Sequence, residues 1–327
     1  MKSMKNQNYY LNSIHLVIKN FVLIKPPKSG LGNQLFVIMN GMLYAKLNSL
    51  DYKYINFNFL NIGPYLRSEK SKRKYSSIFN LNSNPFKNIF FYTKFNLLTP
   101  KKYIIKNPTN IRSNHNLYNI FVFDKSTHFS DYFVFLKDYR NIVIQLFFNL
   151  LNNEINYRYN ELSTPYIGVH IRRGDFLQFQ SDEHFKNNGN TKTPDFYFID
   201  LINSIRKYTN LIIPVKIFSD GYKAELQNIL SLESIEHVEN NNDMLDLLHL
   251  SKSQLIITSA GSTFSYWASF LSNATVLIHK DHIHNDLRDA LTNSIHYEGP
   301  YVDPNTNDLL RSNLDILAKN FKQNNYV

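Results

Sequence analysis

From Pro165 onward the chain alternates short apolar runs with amphipathic stretches, and this alternation constrains the fold more than any other feature. Residues 166–171, 215–218, 255–258 and 275–278 read as buried strands. Between them lie helical patterns: one starting at Thr193-Pro194 with Phe196, Ile199, Ile202 and Ile205 on its apolar face, then Ala224 to Leu230, Asp243 to Leu250 and Thr263 to Leu271. Strands alternating with helices imply βαβ units and a parallel sheet. In an open α/β sheet of this kind, ligands sit outside the carboxyl ends of the strands. The best-defined end is PYIGVHIRRGD, Pro165 to Asp175. There an apolar run closes at Ile171 and is followed by Arg172, Arg173, a turn at Gly174, and Asp175. Two guanidiniums at a strand end make an anion site, since each presents a rigid donor fork matched to phosphate oxygens. His170 can add an imidazole donor. The alternative is a surface arginine pair that merely ends a strand.

The first half opens in a related way. Phe21 to Ile24 is a short apolar run, the loop KPPKSGLGNQ follows, and Leu35, Ile38, Met39, Met42 and Leu43 then recur at helical spacing. Gly30 and Gly32 imitate the start of a dinucleotide fingerprint, but Leu35 stands where its third glycine belongs, and no Gly-Lys-Ser/Thr follows to make a P-loop. Gly30, Gly32, Asn33 and Gln34 therefore read as a tight turn feeding a helix. Residues 58–133 keep no clean period and are expected to hold mixed short elements, with strand-like pieces at Ile89 to Tyr92 and Ile120 to Phe123. Tyr139 to Leu151 looks helical, and Asn152 to Thr164 reads as a polar linker. The expected division is an α/β domain over 1–160 and a Rossmann-like domain over 161–327.

Three more spots sit where ligand sites belong. Phe218-Ser219-Asp220 closes a strand, although Ser-Asp at a strand end is also ordinary turn chemistry. Asp246 lies one turn into the helix that Asp243 is expected to cap. Gly261, Ser262 and Thr263 stand between a strand and a helix, where N–H groups, hydroxyls and the helix dipole converge on one point and suit a phosphate; plain N-capping is compatible with the same residues.

The formal charge of +10 points to an anionic partner, either nucleic acid, an acidic membrane surface or a nucleotide phosphate. The chain has no cysteine, so it has no disulfide framework and no thiolate nucleophile or metal ligand. No stretch approaches the roughly 18 apolar residues of a membrane span, and the basic start lacks the apolar core and cleavage site of a secretory signal. A cytoplasmic protein is expected, with peripheral contact to a membrane through its basic surface or a lipid-linked acceptor. The sequon at Asn273-Ala274-Thr275 is then idle. His279, His282, His284 and Asp286 cluster in sequence but match no zinc spacing, and no Asp-x-Asp is present to hold a metal-bound diphosphate. No metal and no cofactor are expected.

These motifs also carry a resemblance. HIRRGD resembles the H-x-R-R-x-D signature of the α1,2/α1,6/protein O-fucosyltransferase superfamily, and VHIRRGD the form found in glycosyltransferase family 11. GLGNQLF is similar to that family's GGLGNQLFQ opening, with Ser29 for the first glycine and Val37 for the last glutamine. FSDG is similar to FSDD with Gly221 for the second aspartate, and STFSYWASF to the NSSFSWWGA region. The resemblance implies a GT-B-like fold of two facing Rossmann-like domains with the reaction in the cleft between them. It implies an inverting, metal-independent galactoside α1,2-fucosyltransferase that moves L-fucose from GDP-fucose to a glycan hydroxyl. Arg172 and Arg173 would stabilise the departing GDP, with Asp175 as a base or a brace. His170, Ser219, Asp220, Gly261, Ser262 and Thr263 would help hold the donor, and Asp246 would accept from guanine N1 and N2. The loop of Gly30, Gly32, Asn33 and Gln34 would shape the acceptor side. Two rival readings remain at this point: another nucleotide sugar or a protein acceptor, and a basic nucleic-acid-binding protein. The second fits poorly, because the charge is dispersed and no basic run interleaves with aromatics; no nucleic-acid partner is expected.

Overall fold

The computed structural model describes residues 20–55, 63–66, 75, 78–79, 101–105, 107–109, 119–239, 242–283 and 285–325. Two parallel sheets organise it. The first, in the order β2-β1-β4-β3, comprises β1 (Phe21–Ile24), β2 (Asp51–Tyr54), β3 (Lys101–Ile104) and β4 (Asn119–Phe123). The second has six strands in the order β10-β9-β8-β5-β6-β7. They are β5 (Ile167–Ile171), β6 (Val215–Ser219), β7 (Ile235–His237), β8 (Leu255–Ile257), β9 (Thr275–Leu277) and β10 (Glu298–Gly299). The chain adopts the GT-B-like arrangement of two α/β sheets facing across a cleft. The expected strand piece at Ile89 to Tyr92 lies outside the described residues.

The pleat explains how β5 is used. Ile167, Val169 and Ile171 face one apolar layer, where they meet α5 (Asp195–Thr209) and α8 (Asp308–Asn325) through Phe198, Ile202, Ile205, Leu310 and Leu314. Successive side chains of a strand point to opposite faces, so Gly168 and His170 turn to the other face, toward α6 (Asp243–Ser251) and α7 (Thr263–Leu271). A Cβ on Gly168 would lie 2.2 Å from Ser253 Oγ, so only glycine fits that crossing.

The second apolar layer joins the two halves. Helix α1 (Leu31–Leu47) is buried on nearly every side, because it packs on β1 and β4 and also on α7 and α2 (Arg140–Leu150). The Phe36 and Phe133 rings meet Trp267 at 5.0 and 4.9 Å, and Phe133 stacks on Phe270 at 4.7 Å. Trp267 Nε1 donates to the Gly32 carbonyl at 2.9 Å, across 235 residues of sequence.

Several expectations need correction. The supposed linker contains α3 (Asn153–Glu161), capped by Asn152, whose side chain accepts from Ile155 N. Its polar sequence hides the helix because only Ile155 is fully buried. Lys252 Nζ holds its end by donating to the Tyr159 and Leu162 carbonyls. Thr193 is not an N-cap: α5 starts after Pro194, and Thr193 Oγ1 instead accepts from Ala260 N. Residues 223–230 form a 3-10 turn and one helical turn rather than a single helix. Strands β2, β3, β7 and β10 and helix α4 (Asp182–Asn187) are too short or too polar to show a clear period, whereas α8, absent from the expected elements, carries one in Leu310, Leu314, Leu317 and Phe321.

Candidate active site

A cleft of about 820 Å³ runs along the carboxyl ends of the six-stranded sheet and is closed from the other side by the Lys28–Gly30 loop and the first turn of α1. That volume is at the large end of the roughly 300–1,000 Å³ usual for ligand sites. The strand order places it. From β5 the chain steps to β6 and β7 in one direction, then returns to β8 and continues to β9 and β10 in the other. The crevice at such a switch point lies between β5 and β8, flanked by Arg172 on one side and Gly261, Ser262 and Thr263 on the other.

The paired arginines divide. Arg172 continues on the face of His170 and lines the cleft. Its Nη1 meets Asp220 Oδ2 and its Nη2 meets Asp175 Oδ1, each at 2.5 Å, while the Phe176 ring covers it at 5.2 Å. Arg173 takes the opposite parity. It is 5% exposed, pairs with Asp195 and donates from Nη1 to the Thr193 carbonyl at 3.0 Å. The expectation of two cleft-facing guanidiniums is thereby corrected: Arg173 is a buried tie, and one arginine faces the cleft. The alternation of β5 carried the signal, because a residue two beyond buried Ile171 should share its face.

The strand ends around Arg172 are clamped by short polar side chains. Ser259 Oγ donates to the His170 carbonyl and accepts from Arg172 N, both at 2.8 Å. Ser219 Oγ donates to the Ile171 carbonyl at 2.6 Å and accepts from Gly221 N at 3.0 Å. Asp220 Oδ1 accepts from Arg173 N at 2.7 Å. Ser219 and Asp220 line the cleft, yet their polar atoms already serve the scaffold. Gly174 has φ +21°, and a Cβ there would meet Asp220 Oδ2 at 2.2 Å.

His170 is 3% exposed, stacked 4.7 Å from Phe264, with no hydrogen-bond partner on Nδ1 among the described residues. Burial, and then the Arg172 and Arg173 charges, lower its pKa to about 3, so it lines the cleft as a neutral imidazole.

Three helix N-termini reach the cleft, and they differ in sign. Neither Gly30 before α1 nor Ser262 before α7 makes a side-chain cap, and neither first turn contains an acid. Their first N–H groups, which have no intrahelical acceptor, leave positive dipole ends at the cleft. The two ends touch: a Cβ on Gly32 would lie 2.5 Å from Thr263 Oγ1. Helix α6 is the opposite case, capped by Asn242, which accepts from Leu245 N, and carrying Asp243 and Asp246 in its first turn. Asp243 is thus not the cap; its carboxylate accepts from Tyr75 Oη at 2.7 Å.

Of the expected site residues, His170, Arg172, Asp175, Ser219, Asp220, Asp246, Gly261, Ser262, Thr263, Gly30, Gly32 and Asn33 line one cleft, while Arg173 and Gln34 do not. Gln34 is buried and donates from Nε2 to the Ser29 carbonyl. The Gly261 N–H is already given to Tyr266 Oη at 3.0 Å, which leaves α7's own first turn as the donor there. The aromatic lining (Tyr75, Phe129, Tyr132, Phe176 and Phe264) went unnoticed in the sequence, where it is lost among many other aromatics. Among the described residues no cluster of three His, Asp or Glu side chains is placed to hold a metal, and no helix is long and apolar enough to cross a membrane.

Comparison with known proteins gives one sequence match of consequence. The description of glycosyl transferase family 11 matches residues 30–298. No curated protein matches the chain. Among solved structures, the fucosyltransferase NodZ from Bradyrhizobium is similar at 14% identity and a TM-score of 0.46, over 81% of this chain and 97% of that one. FUT1 of Arabidopsis thaliana in complex with GDP is similar at 14% identity and a TM-score of 0.44, over 84% and 74%. POFUT1 in complex with GDP-fucose is similar at 12% identity and a TM-score of 0.45, over 83% and 97%.

Proposed function

Because the chain belongs to glycosyl transferase family 11, we propose that it transfers L-fucose from GDP-fucose to a glycan hydroxyl, the 2-hydroxyl of a galactoside. The observation that carries this reading is the convergence of Arg172 with two uncapped helix N-termini, those of α1 and α7, at the switch point of the six-stranded sheet. Breaking the bond between fucose C1 and the phosphate oxygen leaves the electron pair on GDP. Fixed donors aimed at that growing charge in a water-poor cleft stabilise it without reorganising. Arg172 is held for this task by Asp175 and Asp220, and the remaining N–H groups of its guanidinium stay available.

The acceptor oxygen attacks C1 from the face opposite the departing phosphate, which inverts the anomeric centre, and the hydroxyl proton passes to solvent or to the departing phosphate. Asp175 has its carboxylate committed to Arg172, so it acts as a positioning residue rather than as the base. Asp246, at the acid-bearing end of α6, is the group suited to guanine, because a carboxylate can accept two parallel N–H donors. The N–H groups of Arg172 that Asp175 and Asp220 leave over, together with the helix ends, supply fixed hydrogen-bond donors for the phosphate oxygens, so the proposed route is metal-free. The test is product analysis by mass spectrometry with GDP-fucose and a panel of galactosides, with and without EDTA. A fucosylated galactoside at an undiminished rate in EDTA is expected. Product from another nucleotide sugar or on a protein acceptor would replace this reading, and a manganese requirement would overturn the metal-free route.

A further inference from the structure

Among the described residues, the charge of Arg172 is more than balanced. Its one guanidinium stands between two carboxylates, Asp175 and Asp220, and Asp243 and Asp246 add further acids to the cleft lining. A nucleoside diphosphate brings its own negative charges against that wall, and like charges repel most strongly where water is scarce. Helix N-termini offset this with partial charges only. On the function proposed above, full cations with no carboxylate of their own must therefore reach the diphosphate.

Two lysines meet that requirement. Lys28 and Lys186 are the other cations of the described lining; both are exposed, and neither makes an ion pair or a hydrogen bond with another described side chain. They stand on opposite walls, and the segment that carries each is fixed against the same point, the N-terminus of α7. Lys28 leads into α1, whose Gly32 lies directly on Thr263. Lys186 lies in the last turn of α4, and just beyond it the Gly189 carbonyl fills the space that a Cβ on Gly261 would take. Helix α4 is itself anchored. Ser181 caps it by accepting from His184 N at 3.1 Å, and the Phe185 ring packs 4.8 Å from His279 and 4.6 Å from His282. Leu177 N donates to the Asn190 carbonyl at 2.8 Å, and Lys192 N to the Leu177 carbonyl at 2.7 Å, so both ends of the segment are tied.

A lone lysine on a rim is a solvated charge. These two differ because fixed backbones aim them from both walls at one helix end, beside an arginine whose own charge is already taken. We infer that Lys28 and Lys186 clamp the donor diphosphate from the two halves of the chain and supply the net positive charge that Arg172 does not. When the fucose–phosphate bond breaks, the electron pair left on GDP then faces two whole cations. An ammonium on a flexible stem suits this task, since its three donors can follow phosphate oxygens that shift as the bond opens. With one lysine from each half, the bound donor ties the two walls together.

The experiment compares wild type with Lys28→Gln, Lys186→Gln, Lys28→Arg and Lys186→Arg. Affinity for GDP and for uncharged guanosine is measured by calorimetry at low and high salt, with melting temperatures on the same preparations. Losing one charged donor to a phosphate corresponds to about tenfold in affinity, so each glutamine variant should bind GDP that much more weakly. Its GDP affinity should also depend less on salt, because one screened charge pair is gone. Each arginine variant should stay near wild type, and guanosine affinity and melting temperature should not move. Unchanged GDP affinity in either glutamine variant overturns the clamp. So does a loss shared equally by guanosine, which would make the lysine a contact of shape rather than charge. A wild type that binds GDP as tightly as both glutamine variants leaves the donor reading standing without the clamp, whereas a wild type that binds no GDP removes both.

Discussion

At the scale of single residues, Arg172 and Arg173 show how adjacent side chains of one type acquire different roles. Arg172 lies in the cleft between two carboxylates, while Arg173 lies beneath the sheet against Asp195. Arg172→Lys keeps the charge but loses the planar fork, and should lower turnover by about 2–4 kcal/mol of barrier, the range for one preorganised donor. Its melting temperature should move little. Arg173→Met should do the opposite: it removes the ion-pair partner of Asp195, which keeps Asn228, and leaves the Thr193 carbonyl without its guanidinium donor, which destabilises by about 1–3 kcal/mol, while the activity of the protein that remains folded is kept. Turnover and thermal melts on the two variants check both statements, and a turnover defect confined to Arg173→Met would reverse the assignment. Asp246 gives a second residue-scale prediction. Asp246→Ala should weaken GDP by about 2–3 kcal/mol, the loss of a charged acceptor for two donors, and leave UDP nearly unaffected; equal weakening of both nucleotides would make Asp246 structural.

Among the elements, the contact of α1 with α7 is the feature on which the site depends. Gly32 lets the first turn of α1 lie directly on Thr263, and Trp267 Nε1 locks the pair through the Gly32 carbonyl. A Cβ at Gly32 would also stand 2.6 Å from the Thr263 backbone carbon, which cannot rotate away. Gly32→Ala should therefore force the helices apart, destabilise by about 1–3 kcal/mol as overpacking does, and weaken GDP binding as the two dipole ends separate. Gly30→Ala is the control, because a Cβ there meets nothing within 4 Å. Thermal melts and GDP titrations of the two variants test this, and equal behaviour would deny the contact its role. Apolar periodicity sufficed to find α7 at Thr263–Leu271 and most of α1, since their core faces are continuous in sequence. It failed for α3, whose one fully buried side chain leaves no period to detect and whose support comes from Asn152 and Lys252.

In the whole molecule, one apolar layer holds residues of both sheets together, from Val22 and Phe36 through Phe133 to Trp267 and Val276. Histidines in this interior make its stability depend on pH. Burial lowers His170 to about 3 and His249 to about 4, against roughly 6.5 in an unfolded chain. Between those values the unfolded state binds protons that the folded state refuses, so stability is complete above about pH 6.5 and falls as the pH drops. Each such group contributes a slope of about 1.4 kcal/mol per pH unit in that window. Melting temperatures measured from pH 7.5 to 4.5 should be level at first and then decline, and a flat profile would show that these imidazoles accept protons in the folded state. The sequence alone determined the strand and helix alternation and the strand ends where a ligand belongs, because the backbone periods of two and 3.6 are written in neighbouring residues. It also contained, in the parity of β5, the separation of Arg172 from Arg173. Only the tertiary structure decided that α1 and α7 pack side by side with their N-terminal turns touching, that Asp195 neutralises Arg173, and that Phe129 stands at the β9 end of the cleft. Those outcomes depend on contacts between segments far apart in the chain, such as Trp267 with Gly32, and no local pattern specifies which distant partner a side chain will find.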